Sequence, residues 1–476
     1  MLGGNVGTFV LQFIGAIVIA RLLGPSEMGV YAASLAVVYI INGLLNVGLP
    51  SYLVREKDLT REKLGTVFTL TLAQSAVFAA ALLIGAPLVG WLAHDPRVTQ
   101  SVRFLAVFGA ISPIMTSVHG LMQRKMQFQR VVIATVTNVG MSAIFTVTLA
   151  AHGYSWRSMP IGSGAGASIA LLLTLFMQRH DLVGVPFSRA YIKPIMAFGG
   201  RIAAASLMLN LTNRMPDVIL TRAAGAASTG LYNRGANLVD TLNNTVLASV
   251  GNVMSSQMAL DRDTPAGIGP VYAKTSRLVT ALFWPTFALL AILSKPVIAM
   301  LFGIRWLPAA PVLAIITGAA AINLMVINRI SVLVTVGRER DLPRLEAIRG
   351  VIGVILFTAA AYWGGLMWAA STRIADALMA VALYSPGIHR ATRLGWGEMG
   401  SVFARSALVA GLTVVPALAA SIMMGWPESF GWPNLIGILL LSGASWLAAL
   451  WITNHDLLDE VVRVLSGARS MVARRI

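Results

Sequence analysis

Long apolar runs, separated by short turns rich in Gly, Pro, Arg and Lys, make up nearly the whole chain. A helix rises about 1.5 Å per residue, so a stretch of about 20 apolar residues crosses a hydrocarbon core. Fourteen such stretches can be drawn: 2–22, 29–54, 64–92, 104–122, 131–151, 161–177, 192–215, 231–254, 278–302, 309–336, 351–363, 366–384, 402–424 and 435–452. The eleventh and twelfth are divided only by Gly364 and Gly365. The pattern predicts an all-α integral membrane protein of about 14 transmembrane helices. The first stretch has no basic segment before it and no small-residue cleavage site after it, which reads as a retained helix and not a secretory signal.

One region departs from the pattern. Between Phe198 and Gln257, segments of spanning length carry Arg201, Asn210, Asn213, Arg214 and Asp217 before a short turn and Arg222, Asn233, Arg234, Asn237, Asp240, Asn243, Asn244 and Asn252 after it. Asn233, Asn237, Asp240 and Asn244 are spaced four, three and four apart, which stacks them on one helical face. An unpaired polar group at membrane depth costs several kcal/mol, so such a stripe faces either a water-filled cavity or a partner helix. Arg201 lies nine residues into the seventh stretch, and Arg329 and Arg373 sit inside theirs, with Asp376 three residues after Arg373. The last two can pair on one helix.

Composition narrows the chemistry. Of 476 residues, 57% are hydrophobic and only 12% charged, against about 25% charged in a soluble domain. With no cysteine, disulfides, thiolate nucleophiles and cysteine-bound metals are excluded. The six histidines form no ligand-spaced group, no nucleotide-binding or hydrolase motif is present, and neither a cofactor nor a metal is expected. The net charge of +17 would suit a nucleic-acid partner, but topology accounts for it. With both termini in the cytoplasm, 24 Lys and Arg fall in cytoplasmic segments and nine in the opposite ones. No nucleic acid is therefore implied.

A weak repeat is also present. Arg21, Gly24, Gly29 and Tyr31 recur with identical spacing as Arg222, Gly225, Gly230 and Tyr232, and PLVGWL at Pro87 recurs as PVIAML at Pro296. The repeat divides the chain into a six-helix half at 1–185, a second at 186–390, and two additional helices with a basic tail at 391–476. Repeats of this kind build many secondary transporters, with the substrate site between the halves.

These turns, together with Leu231-Tyr-Asn-Arg234, Leu121, Arg124 and Phe128, Gly153 with Trp156, Phe302-Gly303, the run Trp306 to Pro311, and Gly337-Arg338, resemble the polysaccharide exporter and oligosaccharide flippase family. That family belongs to the superfamily of multidrug and toxic-compound exporters. The likeness is spread over residues 1 to 350. It implies a flippase, not an enzyme, of the bacterial inner membrane with both termini cytoplasmic. Such a protein moves undecaprenyl-pyrophosphate-linked oligosaccharide to the periplasmic leaflet by alternating access. The product would feed O-antigen, capsule or exopolysaccharide synthesis, alongside polymerase and chain-length partners of the same pathway.

A pyrophosphate entering a low-dielectric cavity needs arginine-type donors. On that reading Arg201, Asn210, Asn237, Asn244 and Arg329 are the candidate substrate-binding residues, with structural pairing as the alternative for each arginine. Asp217 and Asp240 are candidates for ion coupling, or for salt bridges to Arg214 or Arg201. Arg214, Arg222 and Arg234 are read as interfacial or structural, and Trp306 as an interfacial belt residue. The first two stretches carry only the amides Asn5, Gln12, Asn42 and Asn46, where drug exporters carry a carboxylate. This counts against a drug antiporter, but a multidrug or lipid II exporter of the same fold remains the alternative, with a membrane-embedded polymerase behind it.

Overall fold

The computed structural model describes residues 2–182, 184–243, 248–262, 264, 267–424 and 431–458, excepting the side chains of 2–6, 9, 108, 198–205, 209, 212, 248–250, 252, 253 and 424. Among them every regular element is a helix: α1 Leu2–Leu22, α2 Pro25–Leu45, α3 Leu49–Arg55, α4 Arg61–Ala93, α5 Pro96–Gly109, α6 Ile111–Arg124, α7 Phe128–Ala151, α8 Ser158–Met177, α9 Arg179–Leu182 and α10 Ile192–Leu242. There follow α11 Ala248–Asp261, α12 Gly269–Ile292, α13 Ser294–Phe302, α14 Ala310–Asn323, α15 Arg329–Thr335, α16 Leu342–Thr392, α17 Trp396–Met424 and α18 Trp432–Ile452, with short 3₁₀ turns between some of them. Ten helical stretches among the described residues are long and apolar enough to cross a membrane.

The two longest helices, α10 and α16, each hold a single non-helical glycine: Gly225 at φ 82°, ψ 165° and Gly365 at φ 62°, ψ −146°. A Cβ disfavours both conformations, so these glycines mark where one arm ends and the next begins. The division expected at Gly364 and Gly365 falls at this point. Two expected spans break at a left-handed residue. The second breaks between α2 and α3, where Gly48 is left-handed and its N–H bonds Asn46 Oδ1 at 3.0 Å. The tenth breaks between α14 and α15, where Asn328 is left-handed at φ 52°.

The chain divides into two compact units, Met1–Asn233 and Arg234–Ile476. In the first, α4 packs on α5, α2 on α5, α7 on α8 and α1 on α7. Val30, Ala33, Phe78, Leu82, Val98 and Val102 form one buried cluster, and Leu49, Leu53, Leu64, Val67, Leu121 and Ile195 another. Arg124 fixes α3 beside α6: Nη1 donates to Leu53 O at 3.1 Å and to Glu56 O, and Nη2 to Lys57 O at 2.9 Å. These are carbonyls that a helix C-terminus leaves without partners. Glu56 takes a 2.5 Å bond from Lys63 Nζ, which holds its carboxyl below the ordinary range.

In the second unit α12 packs on α17 and α14, α14 on α16, and α17 on α18. Indole N–H groups cross between helices, from Trp284 to Ala321 O at 2.9 Å and from Trp446 to Ala281 O at 3.0 Å. Arg234 is buried, with its guanidinium over the rings of Phe302 at 4.4 Å and Trp306 at 4.9 Å. Trp306 is fully buried, which corrects its reading as an interfacial belt residue. A cation resting on two aromatic faces meets their negative quadrupoles without reaching water.

Candidate functional site

The two repeated turns meet inside the first unit. A Cβ on Gly29 would lie 1.6 Å from Ala226 O, and one on Gly230 would lie 2.0 Å from Pro25 O. Each glycine of the repeat therefore lets its own turn approach the backbone of the other. Around this contact the ends are tied by polar side chains. Glu27 accepts from Gly24 N at 2.6 Å and from the Ser155 hydroxyl, and Arg222 bonds His94 Nδ1. Arg97 holds Asp95 at 2.7 Å through Nη2 and donates to Ser26 Oγ at 3.0 Å. Burial raises the Asp95 carboxyl, but the Arg97 bonds outweigh it and hold the group below its ordinary range.

Along the first arm of α10, Asn210 Nδ2 is bonded to Ser206 O at 2.8 Å, and Ser206 Oγ receives Asn46 Nδ2 at 3.4 Å. Asp217 is buried and accepts from Asn233 Nδ2 at 2.8 Å, with the Arg214 guanidinium 4.0 Å away. Arg214 itself lies 4.6 Å from the Tyr39 ring centre. Asp217 is thus a hydrogen-bonded carboxylate, with amide and guanidinium groups offsetting its desolvation. The side chain of Arg201 and the whole of Asn244 lie outside the described residues, and Asn237 is exposed.

The second unit contains a cavity of about 320 Å³ lined by Asp240, Asn243, Asn323, Asn328, Arg329, Arg349, Arg373 and Asp376 among apolar neighbours. Of the candidates predicted from sequence, Asp240 and Arg329 come together here. The break between α14 and α15 opens at the cavity and places Arg329 at the start of α15. A helix interrupted at membrane depth is tolerated where it lines such a space. Arg329 Nη2 lies 3.7 Å from Glu346 Oε1, and its guanidinium lies 5.0 Å from the Tyr384 ring centre. Its Nε is buried without a hydrogen-bond acceptor among the described residues.

Three residues that tie this cavity together were not singled out from the sequence: Arg349, Glu346 and Tyr384. Arg349 donates in parallel to Asp376, Nε to Oδ1 at 2.9 Å and Nη2 to Oδ2 at 2.8 Å, and contacts Glu346 at 3.3 Å. Tyr384 OH donates to Glu346 Oε1 at 2.8 Å. Asp376 was expected to pair with Arg373, one turn away; its two-point partner is Arg349 from the other arm of α16. The signal was present as Glu346-x-x-Arg349 in one arm and Arg373-x-x-Asp376 in the next, two oppositely ordered charge pairs that can match across neighbouring segments. Arginine gives a fixed fork of donors to an oxyanion, so an arginine held by a shared carboxylate at 3.7 Å has donor capacity left for one. The arrangement can bind an anion and exchange ion-pair partners.

Comparison with known proteins agrees with this architecture. The succinoglycan biosynthesis transport protein ExoT of Rhizobium meliloti (strain 1021) is 25% identical over 315 residues, 66% of this chain and 63% of its own length. The lipopolysaccharide biosynthesis protein WzxC of Escherichia coli (strain K12) is 22% identical over 317 residues, 65% of this chain and 64% of its own. The chain thus matches somewhat less than two thirds of the length of these relatives. Among solved structures, the inward closed conformation of the lipid II flippase MurJ superposes with TM-score 0.74 at 12% identity, over 95% of this chain and 98% of that one. An inward-facing multidrug resistance transporter of the MATE family gives 0.63 at 12% identity, over 81% and 96%. The fold is that of these membrane transporters. Residues 18–311 match the family described as polysaccharide biosynthesis protein, and the chain belongs to that family.

Proposed function

We propose that the protein is a flippase that carries undecaprenyl-pyrophosphate-linked oligosaccharide from the cytoplasmic to the periplasmic leaflet of a bacterial inner membrane, supplying repeat units for a surface polysaccharide. The observation that carries this reading is the polar cavity of the second unit, where Arg329, Arg349 and Arg373 face Asp240 and Asp376 among apolar helices. Membrane-embedded charge of this density marks a substrate or ion path. Two phosphate groups can take up arginine donors as carboxylates release them, which lets the head group enter without leaving a buried charge unpaired.

The chain spans the membrane fourteen times on this reading. To the ten apolar helical stretches are added α1, the two polar arms of α10 and the second arm of α16, as two six-helix halves at 1–185 and 186–390 with two further helices and both termini in the cytoplasm. Arg201, Asn210, Asn237 and Asn244 of α10 and the segment after it contribute to the substrate path with Arg329. Asp217 and Asp240 are the groups through which a proton or Na⁺ gradient couples. The Gly29 and Gly230 contact closes the outer side and parts when the cavity opens outward. Delivery to a polymerase and a chain-length partner follows on the periplasmic side.

The test is flipping in reconstituted vesicles, with and without an imposed gradient. Gradient-driven movement that Asp217→Asn or Asp240→Asn abolishes supports coupling at those groups. Movement indifferent to any gradient overturns the coupling, and folded protein that moves no lipid-linked saccharide overturns the function.

A further inference from the structure

A second cavity, of about 560 Å³, lies in the first unit between α3 and α6 and uses none of the residues discussed above for substrate. It is bounded by Ser51 and Arg55 of α3 and by Thr116, His119 and Gln123 of α6. The last three follow one another at helical intervals of three and four, so they form a single polar face. Gly120 on the same face brings the helices together, since a Cβ there would lie 2.9 Å from Pro50 O. The groove is thus framed by a close backbone contact and by the Arg124 clamp on α3.

The polar groups suit hydroxyls better than an anion. Thr116 Oγ1 already donates to Ser112 O at 3.0 Å, which leaves its lone pairs as acceptors toward the groove. Gln123 offers both an amide donor and a carbonyl acceptor, and Ser51 a hydroxyl that does either. His119 Nε2 is buried and has no hydrogen-bond partner among the described residues. A buried polar nitrogen left so costs about 1–3 kcal/mol, which a ligand hydroxyl at the groove wall offsets. Arg55 is the one cation in the set, and it already has an interaction of its own. Phosphate sites, in contrast, are built almost wholly from donors. The volume is within the roughly 300–1,000 Å³ of small-ligand pockets.

We infer that the groove between α3 and α6 binds one or two sugar rings of the transported lipid-linked saccharide, as a saccharide subsite separate from the cationic cavity of the second unit. The inference rests on the flippase reading. It gives the chain two recognition elements of different chemistry, one for charge and one for hydroxyls.

The native chain has no cysteine, so single cysteines report on the groove without background. Ser51→Cys and Gln123→Cys, both at exposed positions, are placed singly in the full-length protein in vesicles and alkylated with a maleimide. The probes are the lipid-linked oligosaccharide fraction extracted from the source cells, and undecaprenyl diphosphate without sugar. We expect the oligosaccharide lipid to slow alkylation at both positions at least fivefold and the bare carrier to leave it unchanged. In a cysteine-free His119→Gln variant, the concentration for half-maximal transport should rise about tenfold with little change in thermal stability. Equal protection by both lipids would make this an anion site and overturn the inference. No protection in protein that still flips the oligosaccharide lipid would overturn it while leaving the function standing. Protein that is folded but flips nothing overturns both.

Discussion

Replacing Gly29 with alanine forces apart two turns that pack backbone to backbone. The new Cβ would start 1.6 Å from Ala226 O and 2.5 Å from Ala226 C, where contacts under 3.0 Å do not occur, so one turn must retreat by roughly 1.4 Å. Backbone atoms have no alternative rotamer to take up the shift. Overpacking of this kind costs about 1–3 kcal/mol, all of it in the state with the turns docked. A bias of about 1–3 kcal/mol multiplies the population with the turns apart by about 5–150-fold. The assay is alkylation of a cysteine at Ala226, which is 7% exposed with the turns docked. In Ala226→Cys the reaction should be slow, and in the Gly29→Ala, Ala226→Cys double variant faster by that factor. Gly230→Ala meets Pro25 O at 2.0 Å and should act in the same direction. Equal alkylation rates with and without Gly29→Ala would show that the turns do not separate on the way to an open state.

Arg349→Met leaves Asp376 without its two-point partner; the pair is about one fifth exposed, and the loss should be about 2–4 kcal/mol, read as a lower Tm, with most of it recovered in Arg349→Met, Asp376→Leu. Arg234→Lys keeps the charge but loses the flat group lying between Phe302 and Trp306, and should cost about 1–2 kcal/mol with a change in tryptophan emission; unchanged emission would count against the stacked geometry. His455, in the turn after α18, accepts from Leu457 N at Nδ1 (3.2 Å) and faces Ser406 Oγ through Nε2 (3.4 Å), which requires the neutral ring. Burial holds its pKa below the ordinary 6.5, with Arg277 and Arg405 adding to this against Asp456. A depressed folded-state pKa means full stability above about pH 6.5, lost as pH falls through the lower folded value. The Tm difference between the native chain and His455→Asn should therefore shrink from pH 7.5 toward pH 5; a difference constant over that range would refute the neutral ring.

Much of the fold was legible because the membrane demands it. Apolar runs of spanning length with basic turns between them admit few structures other than a helical membrane protein, and the glycine pair at 364 and 365 stood at the true change of direction. The breaks at Asn46–Gly48 and at Asn323–Asn328 were not legible, since the apolar pattern runs through both and only the backbone departs from it. Arg349 read as one of several loop arginines, because Leu342 begins a helix that carries it inward to Asp376. Trp306 read as a belt residue because tryptophan after a turn usually is one; here Arg234 occupies its face. The stripe on α10 does not stay together as one site: Asn233 serves Asp217 within one unit while Asp240 lines a cavity of the other. Side-chain pairing across helices depends on which faces meet, and spacing along one helix does not contain that information.

The most direct test of the central claim compares the native chain with Arg329→Gln in vesicles loaded with fluorescent undecaprenyl-pyrophosphate oligosaccharide, with insertion and Tm checked on the same samples. The amide keeps a polar side chain at the cavity and removes the positive charge next to Glu346. The account predicts flipping by the native chain and at least a tenfold slower rate in the variant, with Tm little changed. Equal rates in the two proteins would contradict it.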